Sequence, residues 1–365
     1  MEQIKRTVGI HTFELEYRLS KEEYQFIKNV LFNLCNGTAQ TIYKDKYNCY
    51  KCNLYANEGI LIFVNVYSLK LIINPSRIIN SNDIMGLYAP EEDLATHKYF
   101  STKLLNKLET ILPNDIIANL YISRMDYTID VYMPSDEHVL LMIKLAKKNG
   151  LPKGFKETFP SHCRNAENFN RSFSYDISHT RRHYNFKLYA KHKQLLACRK
   201  NLAQVQLDSA NGVLRAEISC RHNENTMFLW NCNESITYFS LATLNELYNE
   251  IIPKIFPYGV YLKSSIAKKK LKELYKNERT LQKYLLLYLA NIYNYHSFHG
   301  AYQKLNTKNI LKKDILYAFY SNGINPITIA LNDDICCIPS IYTLLGLNNC
   351  HAIEETELFN TLKYS

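Results

Sequence analysis

Apolar and polar positions alternate with period two over residues 8–17, which predicts a strand. The stretch SKEEYQFIKNVLFNL (Ser20 to Leu34) switches to helical spacing, with Ser20 as N-cap and Glu23 three residues on, the two halves of a capping box. A long β-rich run follows from Gly59 to Ile79, expected to stop at Pro75, which cannot donate to a sheet ladder. Helical spacing returns from about Pro90 to Leu112, with Glu91, Glu92 and Asp93 in the first turn, where the helix dipole favours acids. The pattern then predicts a strand at Ile116–Tyr132, a helix at Ser135–Lys148 ended by Asn149-Gly150, and a hairpin of about Ser172–Ile177 with His183–Tyr189. A short helix near Lys191–Leu202 and a strand at Gly212–Ser219 complete the series.

This order implies one α+β domain over residues 1–225, built on a central antiparallel sheet. From about Asn225 the spacing is helical, so residues 226–365 are expected to form a mainly helical accessory region that binds DNA. Within it, Lys263–Tyr293 reads as a basic amphipathic helix or helix pair. Two helical stretches around Asn322-Gly323 have the outline of a helix-turn-helix.

Three of the expected strands carry charges on one face. In SRMDYTIDVYM, Arg124, Asp126, Thr128 and Asp130 share a face opposite Met125, Tyr127, Ile129 and Val131. In GVLRAEISC the polar set is Arg215, Glu217 and Ser219, and in YNFKLYAK it is Lys187, Tyr189 and Lys191. Each strand taken singly is compatible with an ordinary solvated face. Side by side in one sheet, they would gather carboxylates, cations and a phenol. That set suits phosphodiester cleavage: Asp126 and Glu217 could hold Mg²⁺ or Mn²⁺ through oxygen, and Lys191, Lys187 or Arg215 could offset transition-state charge. Tyr189, its phenol acidified by nearby cations, would attack phosphorus.

Composition sharpens the choice of partner. Lys and Arg total 44 against 34 Asp and Glu in 365 residues, a formal charge of +10, which favours a polyanion such as nucleic acid. No apolar run approaches a membrane span and the amino terminus has no secretory core, so a soluble cytoplasmic protein with reduced thiols is expected. The pair Cys49 and Cys52 lacks a second pair to complete a zinc site. His179 and His183, four apart in a turn with Arg181 and Arg182, fit a surface that meets DNA or solvent better than a metal site. Lys268, Lys269 and Lys270 form a basic cluster that could contact phosphates.

Four stretches, in order, resemble the trans-acting Rep family of rolling-circle plasmid replication initiators, which also supplies the catalytic domain of some conjugative relaxases. They are LKLIINPSRIINSNDI, SRMDYTIDVYMPSDEH with its R-x-D and a second acid four residues on, NFKLYAKHKQL with Y-x-K, and GVLRAEISC with R-x-E. The resemblance covers about residues 60–235. It implies nicking and rejoining of DNA at an origin, single-stranded or supercoiled, through a 5′-phosphotyrosyl intermediate. Tyr189 would be the nucleophile, Lys191 and Arg215 the phosphate partners, and Asp126, Glu217 and Asp130 the acids of a divalent-metal site. Lys187, Arg124, Arg181 and Arg182 join the three clustered lysines as expected DNA contacts. A homodimer, a host helicase and a polymerase are implied partners. Asn74 and Arg77 match the N-P stretch without an implied role. Ala190, Gln194, Leu195, Val213, Leu214 and Ala216 depart from the family pattern. They leave open a conjugative relaxase or a catalytically inactive DNA-binding relative.

Overall fold

The computed structural model describes residues 4–35, 42–44, 49–81, 83, 85–90, 93–158, 172–198, 202–221, 232–295, 298–305 and 310–347. Ten strands form one sheet: β1 (Arg6–Arg18), β2 (Ile42–Lys44), β3 (Tyr50–Cys52), β4 (Ile60–Val64), β5 (Ser68–Ile73), β6 (Tyr121–Tyr132), β7 (Phe155–Glu157), β8 (Ser174–His179), β9 (Tyr184–Ala190) and β10 (Val213–Arg221). Their order is β2-β3-β4-β5-β1-β6-β10-β9-β8-β7, and neighbours are antiparallel throughout. The fold is thus α+β, a central antiparallel sheet followed by mainly helical chain.

Local chemistry explains several boundaries. The helix Lys21–Leu34 starts with the expected capping box: Ser20 Oγ accepts from Glu23 N at 3.2 Å, and Glu23 Oε2 from Ser20 N at 2.6 Å. The β-rich run is a hairpin, because Asn65 Oδ1 accepts from Tyr67 N and Ser68 N and turns the chain between β4 and β5. Pro75 ends the strand, as expected, and also opens the helix Pro75–Ile79 as its first residue, with Asn74 capping Arg77 N at 3.0 Å. Asp93 caps the helix Leu94–Leu108 rather than sitting inside it, while Glu91 and Glu92 lie outside the described residues. Ile116, expected in a strand, belongs to the short helix Asn114–Ala118, and β6 begins at Tyr121.

Ile122, Met125, Tyr127, Ile129 and Val131 of β6 and Leu214, Ala216 and Ile218 of β10 are buried and form one core with the helices Asp136–Lys148 and Leu241–Ile255. Tyr248 fixes the second helix beneath the sheet, its hydroxyl donating to the carbonyls of Tyr127 (3.1 Å) and Ala216 (2.8 Å). The basic stretch after residue 263 is a helix pair, Ser264–Leu274 and Arg279–Tyr295. The helix-turn-helix expectation fails. After the helix Lys312–Tyr320, Gly323 takes φ 62° and the chain runs extended, with Ile324 and Ile329 bridging Val260 and Lys263. Asn325 precedes Pro326, which disfavours helical backbone there, and its buried side chain is tied to Pro257 O and Ile327 N. The next helix is only Ile341–Leu345.

Candidate functional site

Register places the three charged strand faces together. β6 and β9 flank β10, so Asp130, Arg215 and Tyr189 form one cross-strand row that ends on Ser174 of β8. The next row is Thr128, Glu217, Lys187 and Asp176, and the one after it brings Thr12, Asp126, Ser219 and Asn185 together. Cross-strand neighbours of this kind sit close enough for their side chains to interact directly. The apolar partners Ala216, Ile218, Phe186 and Leu188 hold the sheet to its core from the other side.

Glu217 is the hub. Its Oε1 accepts from Lys187 Nζ at 2.7 Å, and its Oε2 lies 3.5 Å from both the Tyr189 hydroxyl and His11 Nδ1. Burial alone would raise this carboxyl, but Lys187 and His11 outweigh it and hold Glu217 well below the usual range. Tyr189 moves the other way: burial, then the charges of Glu217 and Asp130, push its phenol well above 10, and Arg215 only partly opposes them. The expected acidified phenol is therefore corrected to a neutral one that needs a proton acceptor. Tyr189 is 4% exposed.

Arg215 and Asp130 are fully buried and joined by two bonds of 2.6 Å, from Nε and Nη2. Nη2 also reaches Met85 O, while Nη1 has no hydrogen-bond partner among the described residues. Arg215 is thus committed to Asp130 and faces Tyr189, not an open phosphate site. Arg124 bridges Glu14 at 3.3 Å and Asp126 at 3.1 Å, and the Thr12 hydroxyl also bonds Asp126. Lys191, in the first turn of the helix Lys191–Cys198, is buried and bonds Gln194 Oε1 at 3.0 Å. That helix is pinned by Asp136, which meets His192 Nδ1 at 2.6 Å and accepts from Gly212 N at 2.9 Å.

The metal expectation does not fit this arrangement. Both oxygens of Asp130 belong to Arg215, Asp126 is matched by Arg124, and Glu217 by Lys187. Among the described residues, no three His, Cys, Asp or Glu side chains gather as a metal-binding group. The residues that depart from the resembled pattern are mostly buried. Ala190, Leu214 and Ala216 are core residues, Val213 and Leu195 are buried, and Gln194 supports Lys191.

The remaining expected contacts are dispersed. Arg181 and Arg182 are exposed in the β8–β9 turn, where Arg182 meets Glu250 at 2.7 Å. His179 packs its ring on Phe155 and Tyr184 and accepts from the two arginine backbone amides, so it is a turn residue rather than a ligand. Lys268 and Lys269 are exposed and Lys270 half-buried on the helix Ser264–Leu274. Cys52 contacts Cys35 Sγ at 3.4 Å, two buried thiols apart from the charged face.

Two site residues have no counterpart in the sequence reading. His11 is the inserted residue of a β-bulge between Ile10 and Thr12, which turns both His11 and Thr12 towards the polar face. Strict alternation with Phe13 and Leu15 would have sent His11 into the core. Burial, then Arg215 and Lys191, hold its imidazole down to about 4 against the pull of Glu217. Asp176 stands beside Lys187 with Oδ2 accepting from Ser174 Oγ at 3.2 Å and Oδ1 without a partner among the described residues. Burial raises its carboxyl to about 6 against Lys187 and Ser174. A Ser-Tyr-Asp-Ile-Ser strand carries no motif that would single it out.

An α+β protein with a charge-paired sheet face around a buried tyrosine is what fold and site define. No family model matches the chain, and no curated protein matches it either. Among solved structures, the rolling circle replication initiator protein from Geobacillus stearothermophilus aligns with 69% of this chain and 85% of its own, at 10% identity and a TM-score of 0.29. Similarity of that size establishes nothing about this chain's function. No helix among the described residues is long and apolar enough to cross a membrane.

Proposed function

We propose that this protein nicks and rejoins DNA through Tyr189, as a replication initiator of rolling-circle type would. The observation that carries the reading is the convergence on Glu217 Oε2 of the Tyr189 hydroxyl, with Lys187 on the other oxygen. In the first step the Tyr189 oxygen bonds to phosphorus and the bond from phosphorus to the 3′ oxygen breaks. The phenolic proton passes to Glu217, and the departing oxygen takes a proton from the Lys191 ammonium to leave as a 3′ hydroxyl. A phosphate seated against Lys187 competes with Glu217 for that cation. Glu217 thereby becomes more basic when the phenol must lose its proton. Arg215 Nη1 supports the phenolate. Rejoining reverses each transfer.

Lys187 and Arg124 at the site, Arg181 and Arg182 in the turn, and Lys268, Lys269 and Lys270 on the basic helix would contact the strand, and their loss would reduce the salt dependence of binding. Origin DNA, a helicase, a polymerase and a second copy of the chain are the partners of such a protein. A conjugative relaxase would use the same chemistry on a transfer origin.

The test incubates the full chain with single-stranded oligonucleotides from its own locus in Mg²⁺, Mn²⁺ or EDTA and looks for a DNA-linked band in denaturing gels. Tyr189→Phe should lower adduct formation by about a thousandfold or more while origin binding stays within about twofold. An unchanged adduct in that variant would sink the assignment. A second reading, an inactive DNA-binding relative, is favoured by the pairing of Asp126, Asp130 and Glu217 with cations. It predicts binding with no adduct in any of the three conditions.

A further inference from the structure

We propose that His11 is a positioning residue for Tyr189, holding Glu217 Oε2 in line with the phenol. The inference rests on the nickase reading above. Its basis is geometric. Glu217 Oε1 is fixed by Lys187, and among the described residues the side chains that meet Oε2 are Tyr189 and His11, each at 3.5 Å. Without a second partner, Oε2 could rotate about the Lys187 contact and lose the phenol. The sheet inserts an extra residue in β1 at this position and so turns an imidazole that simple alternation would bury.

The segment across the bulge is tightly held. Tyr88 bonds both backbone groups of Ile10 (2.7 and 2.9 Å), and a Cβ on Gly9 would meet Tyr88 O at 2.7 Å. The bulge therefore cannot slide by a residue without a clash. The charged groups that face His11 are Glu217 and Arg215 of β10 and Lys191 of the neighbouring helix. Burial, with Arg215 and Lys191 adding to it, keeps the ring neutral, so one nitrogen carries hydrogen. With Nδ1 in that role, the ring donates to Glu217 while leaving the carboxylate its negative charge for the phenolic proton.

The experiment measures single-turnover adduct formation at saturating oligonucleotide, oligonucleotide affinity and melting temperature for His11→Ala, His11→Asn and His11→Gln. Support consists of a rate about tenfold or more lower in His11→Ala, affinity within about twofold of the parent, and recovery of most of the rate by an amide side chain that can donate to Glu217. If His11→Ala fails to fold, the two amide variants carry the test through their rates alone: near-parental rates support the role, and rates as low as Tyr189→Phe overturn it. The inference is also overturned if His11→Ala is as fast as the parent, if affinity falls in step with rate, or if raised Mn²⁺ restores the rate, which would make His11 a metal donor. A parent protein that forms no adduct, or a Tyr189→Phe variant that still does, would bring down the nickase reading instead.

Discussion

Asp176→Asn should stabilise the protein above pH 6 and leave its stability unchanged below pH 4. The carboxyl is lifted from its ordinary 3.8 to about 6, chiefly by burial, with Lys187 and Ser174 pulling the other way and Glu217 and Lys147 as the remaining charges that act on it. Two units correspond to about 3 kcal/mol. A carboxyl whose folded value is raised binds more protons folded than unfolded between the two values, so stability falls as pH rises from 3.8 to about 6. The full cost applies above that window, and none of it below. The amide keeps the acceptor for Ser174 Oγ and carries no charge to desolvate. Urea midpoints for parent and variant at pH 7.5 and pH 3.5 separate the cases. A gain of about 2–3 kcal/mol at the higher pH, shrinking to near zero at the lower, is expected. An equal gap at both pH values, or a less stable variant at pH 7.5, would refute the account of Asp176 as a desolvated charge.

Asp130→Ala should cost about 3–5 kcal/mol in the same measurement, because it strands the fully buried Arg215 guanidinium, whereas Asp130→Leu combined with Arg215→Met should recover much of the loss. A single-variant cost under about 1 kcal/mol would mean that water reaches the pair. His97 is buried between the Tyr88 hydroxyl (3.1 Å) and Ser235 Oγ (2.9 Å), and burial holds it down to about 4. Its contribution is complete above 6.5 and is lost as pH falls through about 4, a change of about 3 kcal/mol. His97→Gln should flatten the stability profile over that range relative to the parent, and an identical profile would contradict it.

The sequence made the sheet legible where alternation was strict. β6, β9 and β10 each showed one apolar and one charged face, and period two told which face would be buried, with Met125, Phe186 and Ile218 inside, but not that the three strands would pair. The helix ends at Ser20 and Asn149 followed from capping chemistry. The chain after Gly323 was misread because apolar spacing in a short run cannot separate extended from helical backbone. The buried Asn325 that decides it acts through distant carbonyls such as Pro257 O.

Roles within the site were harder to read than its membership, for a physical reason. Residue type shows that Tyr189, Arg215 and Lys187 can carry charge or protons, but which partner each meets depends on register. Register gave Asp130 wholly to Arg215 and thereby removed a metal ligand and a phosphate contact at once. Burial, together with Glu217 beside the phenol, outweighs the neighbouring Arg215 and reverses the expected direction of its acidity. His11 was hidden by one inserted residue. A bulge leaves the hydrophobic pattern on either side intact while turning a single side chain to the opposite face, so a periodic reading places that residue in the core. Chemistry on a sheet face can therefore enter through the positions where alternation breaks, and His11 is the position in this chain where that idea meets a measurement.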